Sequence, residues 1–146
     1  MSKAKIMLTT FAFGTAILGT GIGLAGPAFA DKMKATLDAK SEVPANTSAG
    51  TGTADIDYDP ASKKLSWKLT YSGLSGAATA AHFHGPAEAG KNAGVAVPIP
   101  NPATSPVEGS ATLTEAQAAD LVAGKYYVNV HTAANPGGEI RGQVTK

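Results

Sequence analysis

The sequence predicts an all-β fold, an antiparallel Greek-key sandwich or barrel with one short helix near residues 114–123. Two observations lead to this prediction. Polar and apolar residues alternate along several segments between residues 33 and 144, which is typical of strands that are buried on one face. The segments are short, and stretches rich in Gly, Pro, Asn and Ser separate them, as expected for loops and turns.

The first three predicted strands are 33–39, 53–59 and 64–71. In the third, Leu65, Trp67 and Leu69 alternate with polar residues. Pro60 restricts φ in the connection between the second and third strands, and Asp59 can accept a hydrogen bond from the backbone there. We therefore expect these two strands to form a hairpin.

Five further strands are predicted at 79–85, 94–99, 109–113, 125–132 and 138–144. Pro98 and Pro100 limit the strand at 94–99 to a sheet edge or a strand end. The segment 114–123 has helix signals instead. Thr114 can cap its amino end with Gln117 three residues later, and Gly124 can end it.

Residues 1–30 have the pattern of a secretory signal: early lysines, an apolar run and Ala-Phe-Ala before Asp31. The alternative is an uncleaved membrane anchor, but the run contains several Gly and Thr residues. We expect cleavage after Ala30, export to a periplasmic or extracellular location, and no stable membrane insertion afterwards. Residues 31–146 would then form one domain.

Composition excludes several classes of function. Without the two signal lysines, residues 31–146 contain ten basic and eleven acidic residues, a net charge of −1. No basic patch remains, so nucleic acid is not an expected partner. The chain has no cysteine, which excludes disulfides and thiolate metal sites, including blue copper. The sequence identifies no protein partner.

The three histidines of the chain point to a metal site. Residues two apart on a strand share a face, so His82 and His84 in "AAHFHGPA" would lie opposite Ala81 and Phe83. In "YYVNVHT", His131 would share a face with Tyr127 and Asn129, and that face would be the one away from the core. We expect His131 to join the pair if the two strands are neighbours.

Three neutral imidazoles suit copper or zinc, and the affinity order at nitrogen donors favours copper. The second nitrogen of each ring needs an acceptor, which Asn129, Glu139 or a backbone carbonyl could supply. The alternative interpretation is that the histidines only make hydrogen bonds. Glu139 and Arg141 also share a predicted face. They would form an ordinary surface ion pair, or Arg141 would lie near the metal and attract an anion.

Together, "HFHGP", "YYVNVHT" and "GGEIRGQ" resemble the CHRD (chordin-type) domain family over roughly residues 34–144. The resemblance implies an all-β secreted module and does not by itself imply an activity. A weaker likeness links "HFH", His131 and Arg141 to copper-zinc superoxide dismutases. Three histidines are too few for both of their metal ions, so only a mononuclear copper site is implied.

Three functions follow as hypotheses. The first is an exported module that binds copper, or alternatively zinc, through His82, His84 and His131. The second is a structural or protein-interaction module without metal. The third is a copper-dependent enzyme resembling superoxide dismutase, in which Arg141 steers the anion.

Overall fold

The structure is a computed structural model that describes residues 30–146. The predicted secretory signal lies outside these residues except for its last residue, Ala30. The described part contains eight strands and one helix: β1 (Asp31–Asp38), β2 (Thr51–Asp59), β3 (Lys64–Ser72), β4 (Ala78–His84), β5 (Val95–Pro98), β6 (Val107–Thr112), α1 (Glu115–Val122), β7 (Tyr127–Thr132) and β8 (Ile140–Gln143). No helix within residues 30–146 is long and apolar enough to cross a membrane.

All eight strands belong to one antiparallel sheet, which is nearly closed into a barrel. The strand order is β5-β4-β7-β8-β1-β2-β3-β6, so β5 and β6 are the two edge strands. The predicted all-β class is confirmed, and so is the hairpin of β2 and β3, which pair over their full length. The placement of β5 at an edge agrees with Pro98, which cannot donate to a neighbouring strand.

The core lies on the concave face, where the apolar residue of each alternating pair points inward. Leu65, Leu69 and Phe83 are fully buried, and Trp67 packs edge-on against Phe83 with ring centroids 5.3 Å apart. Each such side chain contributes about 1.5–3 kcal/mol by leaving water. The core therefore fixes which residues of each strand face outward, including His82 and His84 on β4.

Helix α1 begins with the predicted capping box. The Gln117 amide donates to the Thr114 hydroxyl, and the Gln117 side chain accepts from the Thr114 amide. Gly124, just after the helix, adopts a φ of 75°, which favours glycine. Gln117 Nε2 also donates to the Ala96 carbonyl at 3.0 Å. This bond attaches the helix to edge strand β5.

Two loops cover the outer face of β7 and β8. We call them the 39–50 loop and the 85–94 loop. Asn92 of the second donates to the Val43 carbonyl of the first at 3.0 Å, and Asn46 donates to the Glu139 carbonyl at 3.0 Å. As a result, both faces of β7 are buried, and Asn129 is only 3% exposed. The candidate site lies between this face and the loops.

Candidate metal centre

The three histidines meet on the outer face of neighbouring strands β4 and β7. His82 pairs with Asn129 in the strand register, and Ala80 pairs with His131. Ala81 and Phe83, which alternate with the histidines, are buried in the core. The predicted separation of faces is therefore confirmed. His84 is buried, whereas His82 and His131 are partly exposed.

Ring nitrogens of the three histidines are close enough to hold one ion. One ligand atom from each residue lies within 4.8 Å of the other two. His82 Nδ1 and His131 Nε2 are 3.2 Å apart. With metal–nitrogen bonds of about 2.0–2.1 Å, two ligands of a tetrahedral ion lie about 3.3–3.4 Å apart. The pair of nitrogens already has this spacing.

Backbone carbonyls select the tautomers of two of the rings. His84 Nδ1 lies 3.0 Å from the Ala93 carbonyl oxygen, and His131 Nδ1 lies 2.9 Å from that of Pro136. A carbonyl oxygen can only accept, so both Nδ1 atoms donate. The neutral rings then carry their lone pairs on Nε2, and that of His131 lies 3.2 Å from His82 Nδ1. The predicted acceptors are thus backbone carbonyls in both cases.

The lone pair of His84 has no partner within the described part of the chain. His84 is 8% exposed, and its Nε2 is buried without a hydrogen bond. Leaving a buried acceptor unsatisfied costs about 1–3 kcal/mol. A cation at the centre of the three rings would satisfy this atom.

Burial and neighbouring imidazoles favour the neutral form of His82 and His84. Burial lowers the pKa of His82, and the neighbouring His131 and His84 lower it further. Burial also lowers the pKa of His84, against the opposing effect of the hydrogen bond to the Ala93 carbonyl. A neutral imidazole is the form that binds a metal ion. The rings of His82 and His84 are therefore in their binding form at neutral pH.

Tyr127 and Arg141 form layers beside His84. The rings of His84 and Tyr127 are stacked, with centroids 4.8 Å apart and planes 2° from parallel. The Arg141 guanidinium carbon lies 3.4 Å from the centroid of the Tyr127 ring. Tyr127 therefore separates the arginine from the histidine. This stack fixes the orientation of His84, because its ring cannot rotate without leaving the tyrosine.

Arg141 and Glu139 differ from the predicted surface ion pair. Arg141 is 2% exposed and Glu139 is completely buried, and no ion pair joins them in the structure. Arg141 instead donates to Asn92 Oδ1 at 2.9 Å and to the Lys91 carbonyl, which ties the 85–94 loop to β8. The pattern of alternation places both residues on one face correctly, but it gives no sign of the loops that bury them.

Glu139 is held by a ring of donors. Its carboxylate accepts from the Ser48 hydroxyl at 2.6 Å, from the Ser75 amide at 2.7 Å and hydroxyl at 2.6 Å, and from the Thr132 hydroxyl. Burial raises the pKa of Glu139, but these hydrogen bonds outweigh it and lower the pKa to about 2. Glu139 thus ties the 39–50 loop to the turn that follows β7.

Glu42 is a buried acid that sequence reasoning did not find. It lies in the 39–50 loop and is 6% exposed, and its Oε1 has no hydrogen-bond partner among residues 30–146. Burial raises its pKa to about 7, although Arg141 and hydrogen bonds from Val43 and Asn129 oppose the shift. No feature of the sequence distinguishes Glu42 from an exposed loop residue.

A family model described as the CHRD domain matches residues 33–144 of the chain. The match covers nearly all of the described sheet and includes the three histidines. CHRD domains occur in extracellular or secreted proteins. No curated protein and no solved structure matches this chain.

Proposed function

Because the chain belongs to the CHRD domain family, we propose that it is an exported module that binds one metal ion, copper, through His82, His84 and His131. The observation that carries this proposal is the buried Nε2 of His84. It has no hydrogen-bond partner in the described structure, and a ring nitrogen of His84 lies within 4.8 Å of nitrogens of two further imidazoles. The hydrogen bonds to Ala93 and Pro136 support it, because they leave the lone pairs of two rings available to an ion.

Copper suits this ligand set better than zinc does. All three donors are imidazole nitrogens, and the chain contains no cysteine. At such a site the divalent affinity order places copper above zinc. Zinc is the alternative ion, since three histidines also match its usual ligands. Export is supported by the pattern of residues 1–30 and by the occurrence of CHRD domains in secreted proteins.

A structural or protein-interaction module is the second candidate. It is favoured by the contact of His82 Nδ1 with His131 Nε2 at 3.2 Å, which can be a hydrogen bond if one of the two nitrogens carries a proton. A dismutase-like role has less support. The Arg141 guanidinium is 2% exposed and already bonded to the 85–94 loop, which leaves it little surface for attracting an anion.

Metal titration distinguishes these candidates. The chain is expressed from its full sequence, purified and stripped of metal, and Cu(II) or Zn(II) binding is followed by calorimetry and elemental analysis. We expect one ion per chain, with copper bound more tightly than zinc. His84→Ala and His131→Ala should each weaken copper binding by about 100-fold or more, whereas Thr70→Ala on the exposed face of β3 should not change it.

The result that overturns the metal proposal is a stoichiometry of zero for both ions, and it would leave the structural module. Copper binding that is unchanged in both histidine variants would also overturn it. Mass spectrometry of the same preparation tests export, because cleavage after Ala30 removes residues 1–30. Superoxide turnover by the copper-loaded chain would favour the dismutase-like alternative.

A further inference from the structure

Asn129 lies in the centre of the site, on the same face as the histidines. It pairs with His82 on one side and with Arg141 on the other. Its side chain is 3% exposed, and its Oδ1 is 3.0 Å from His131 Nε2. The amide therefore contacts one imidazole directly, and Asn129 is the strand neighbour of a second, that of His82.

The contact between Asn129 and His131 joins two acceptors. His131 Nδ1 donates to the Pro136 carbonyl, so a neutral ring has no proton on Nε2. Asn129 Oδ1 is an acceptor as well, and neither atom can donate to the other. Two lone pairs 3.0 Å apart are unfavourable unless a cation lies between or beside them. With bonds of about 2.0–2.2 Å, two ligands of a four-coordinate ion lie about 2.8–3.6 Å apart for angles between about 90° and 109°, and the distance between Oδ1 and Nε2 falls in this range.

Glu42 is a neighbour of Asn129 and can orient its amide. The Asn129 side chain opposes the rise in the pKa of Glu42, and only the amide nitrogen of Asn129 can donate to a carboxyl group. The amide oxygen is then directed to the histidines. Gly138 leaves room for the carboxyl, because a Cβ there would lie 2.3 Å from Glu42 Oε1. Only glycine at position 138 leaves enough space for the Glu42 carboxyl group.

We propose that Asn129 Oδ1 is the fourth ligand of the metal ion, and that Glu42 is the positioning residue that orients this amide. The inference rests on the proposed metal-binding function. Three nitrogens and one oxygen from the protein would complete a four-coordinate sphere. Closed four-ligand sites are typical of metal ions that are held, whereas catalytic sites keep a position open. The site then stores or carries its ion rather than presenting it to an anionic substrate.

Variants of both residues test the assignment. Affinity is measured with Cu(II), and ligand geometry is followed by the visible spectrum of the Co(II)-loaded chain with and without azide. Asn129→Ala should weaken Cu(II) binding about tenfold or more and make the Co(II) spectrum sensitive to azide. Asn129→Asp keeps an oxygen donor but cannot donate to Glu42, so it should bind Cu(II) more tightly than Asn129→Ala does. The wild-type spectrum should not respond to azide.

The orienting role of Glu42 is tested by a measurement that a purely structural role of this residue would not affect. Glu42→Gln retains an oxygen that can accept from Asn129, so it should keep wild-type affinity and spectrum. Glu42→Ala should lower Cu(II) affinity by about 10–100-fold, the usual effect of losing a group that orients a ligand. Its Co(II) spectrum should become sensitive to azide. Circular dichroism of the metal-free variants checks that each is folded.

The outcomes distinguish a failure of this inference from a failure of the proposed metal-binding function. If the wild type binds no metal, the proposed function is wrong and the fourth ligand with it. If the wild type binds copper through its histidines, three results overturn only the fourth ligand. These are an unchanged affinity and spectrum in Asn129→Ala, binding in Asn129→Asp that is no tighter than in Asn129→Ala, and azide binding by the wild type. The azide response of the wild type keeps the test decisive if the Ala variant does not fold.

Discussion

Replacing Glu139 with Gln tests whether the ring of donors around this carboxylate holds the loops in place. The Glu139 carboxylate accepts hydrogen bonds from the side chains of Ser48, Ser75 and Thr132 and from the Ser75 backbone amide. Glutamine has nearly the same shape and keeps one acceptor oxygen. It loses the negative charge, however, and places an amide group beside donors. The variant therefore isolates the contribution of the charge.

The size of the effect follows from the pKa of Glu139. Its value of about 2 in the folded state, against 4.5 as the ordinary value, corresponds to about 3 kcal/mol of stability at neutral pH. Glu139 is fully buried, so the cost of burying its charge offsets part of this gain, and about 3 kcal/mol is an upper limit. For a domain of this size, a loss of about 3 kcal/mol lowers the melting temperature by roughly 10 °C.

The same pKa predicts the direction of the pH dependence. Because the folded-state pKa lies below the unfolded one, the unfolded chain binds more protons between these values. The stabilisation from Glu139 is fully present above the unfolded value of 4.5, and it is lost as pH falls through the folded value of about 2. Glu139→Gln should lack this part of the acid-induced loss of stability.

Urea unfolding at pH 7, 5, 4 and 3 measures the effect, with circular dichroism as the signal. Glu108→Gln is the control, because Glu108 is exposed and lies 3.6 Å from Lys68 in a surface pair worth about 0–1 kcal/mol. The wild type and Glu139→Gln should differ most at pH 7 and converge as the pH falls. A difference that is the same at every pH would refute the reasoning, since it would not come from the ionised carboxylate.

Three further predictions concern the metal, the packing of the sheet and the helix cap. Cu(II) at about 100 times its Kd should add about 2.7 kcal/mol to the free energy of unfolding, and His84→Ala should abolish this increase. Gly142→Ala should cost about 1–3 kcal/mol in urea unfolding, because its Cβ would lie 2.2 Å from the Thr36 carbonyl oxygen. Gly76→Ala, where nothing lies within 4 Å, is its control and should be nearly neutral. Thr114→Ala should cost about 1 kcal/mol, since it removes the helix cap, and an unchanged urea midpoint would contradict this.

Local sequence patterns predict most of the fold. Alternation locates β1, β2, β3 and β7, because inward and outward residues must alternate wherever a strand covers a core. The other four strands are predicted as short segments between loops. The Thr114 and Gln117 pair locates the start of the helix, since a capping box is a local interaction. The choice between a sandwich and a barrel could not be made in this way. It depends on the order of strands in the sheet, which non-local pairing decides.

The sequence predicts only part of the candidate site. The spacing of His82 and His84 predicts their common face, and the position of His131 at the end of its strand predicts that it can join them. The burial of Arg141 and the presence of Glu42 could not be predicted. Both depend on the 39–50 and 85–94 loops, whose course over β7 and β8 leaves no periodic signal. A position on the outward face of a strand, such as that of Arg141, therefore does not by itself indicate exposure to solvent.

Buried charges around the histidines indicate that the site is prepared before an ion arrives. Burying a charged group costs several kcal/mol unless hydrogen bonds or partners compensate it, and a domain without disulfides has little stability to spare. Yet Glu139 and Arg141 are both buried, and each connects a loop to the sheet. The 85–94 loop supplies the carbonyl that orients His84, and the turn tied down by Glu139 supplies the one that orients His131. If copper binds here as proposed, folding has already ordered the loops before the ion arrives. Copper binding should therefore leave the backbone nearly unchanged.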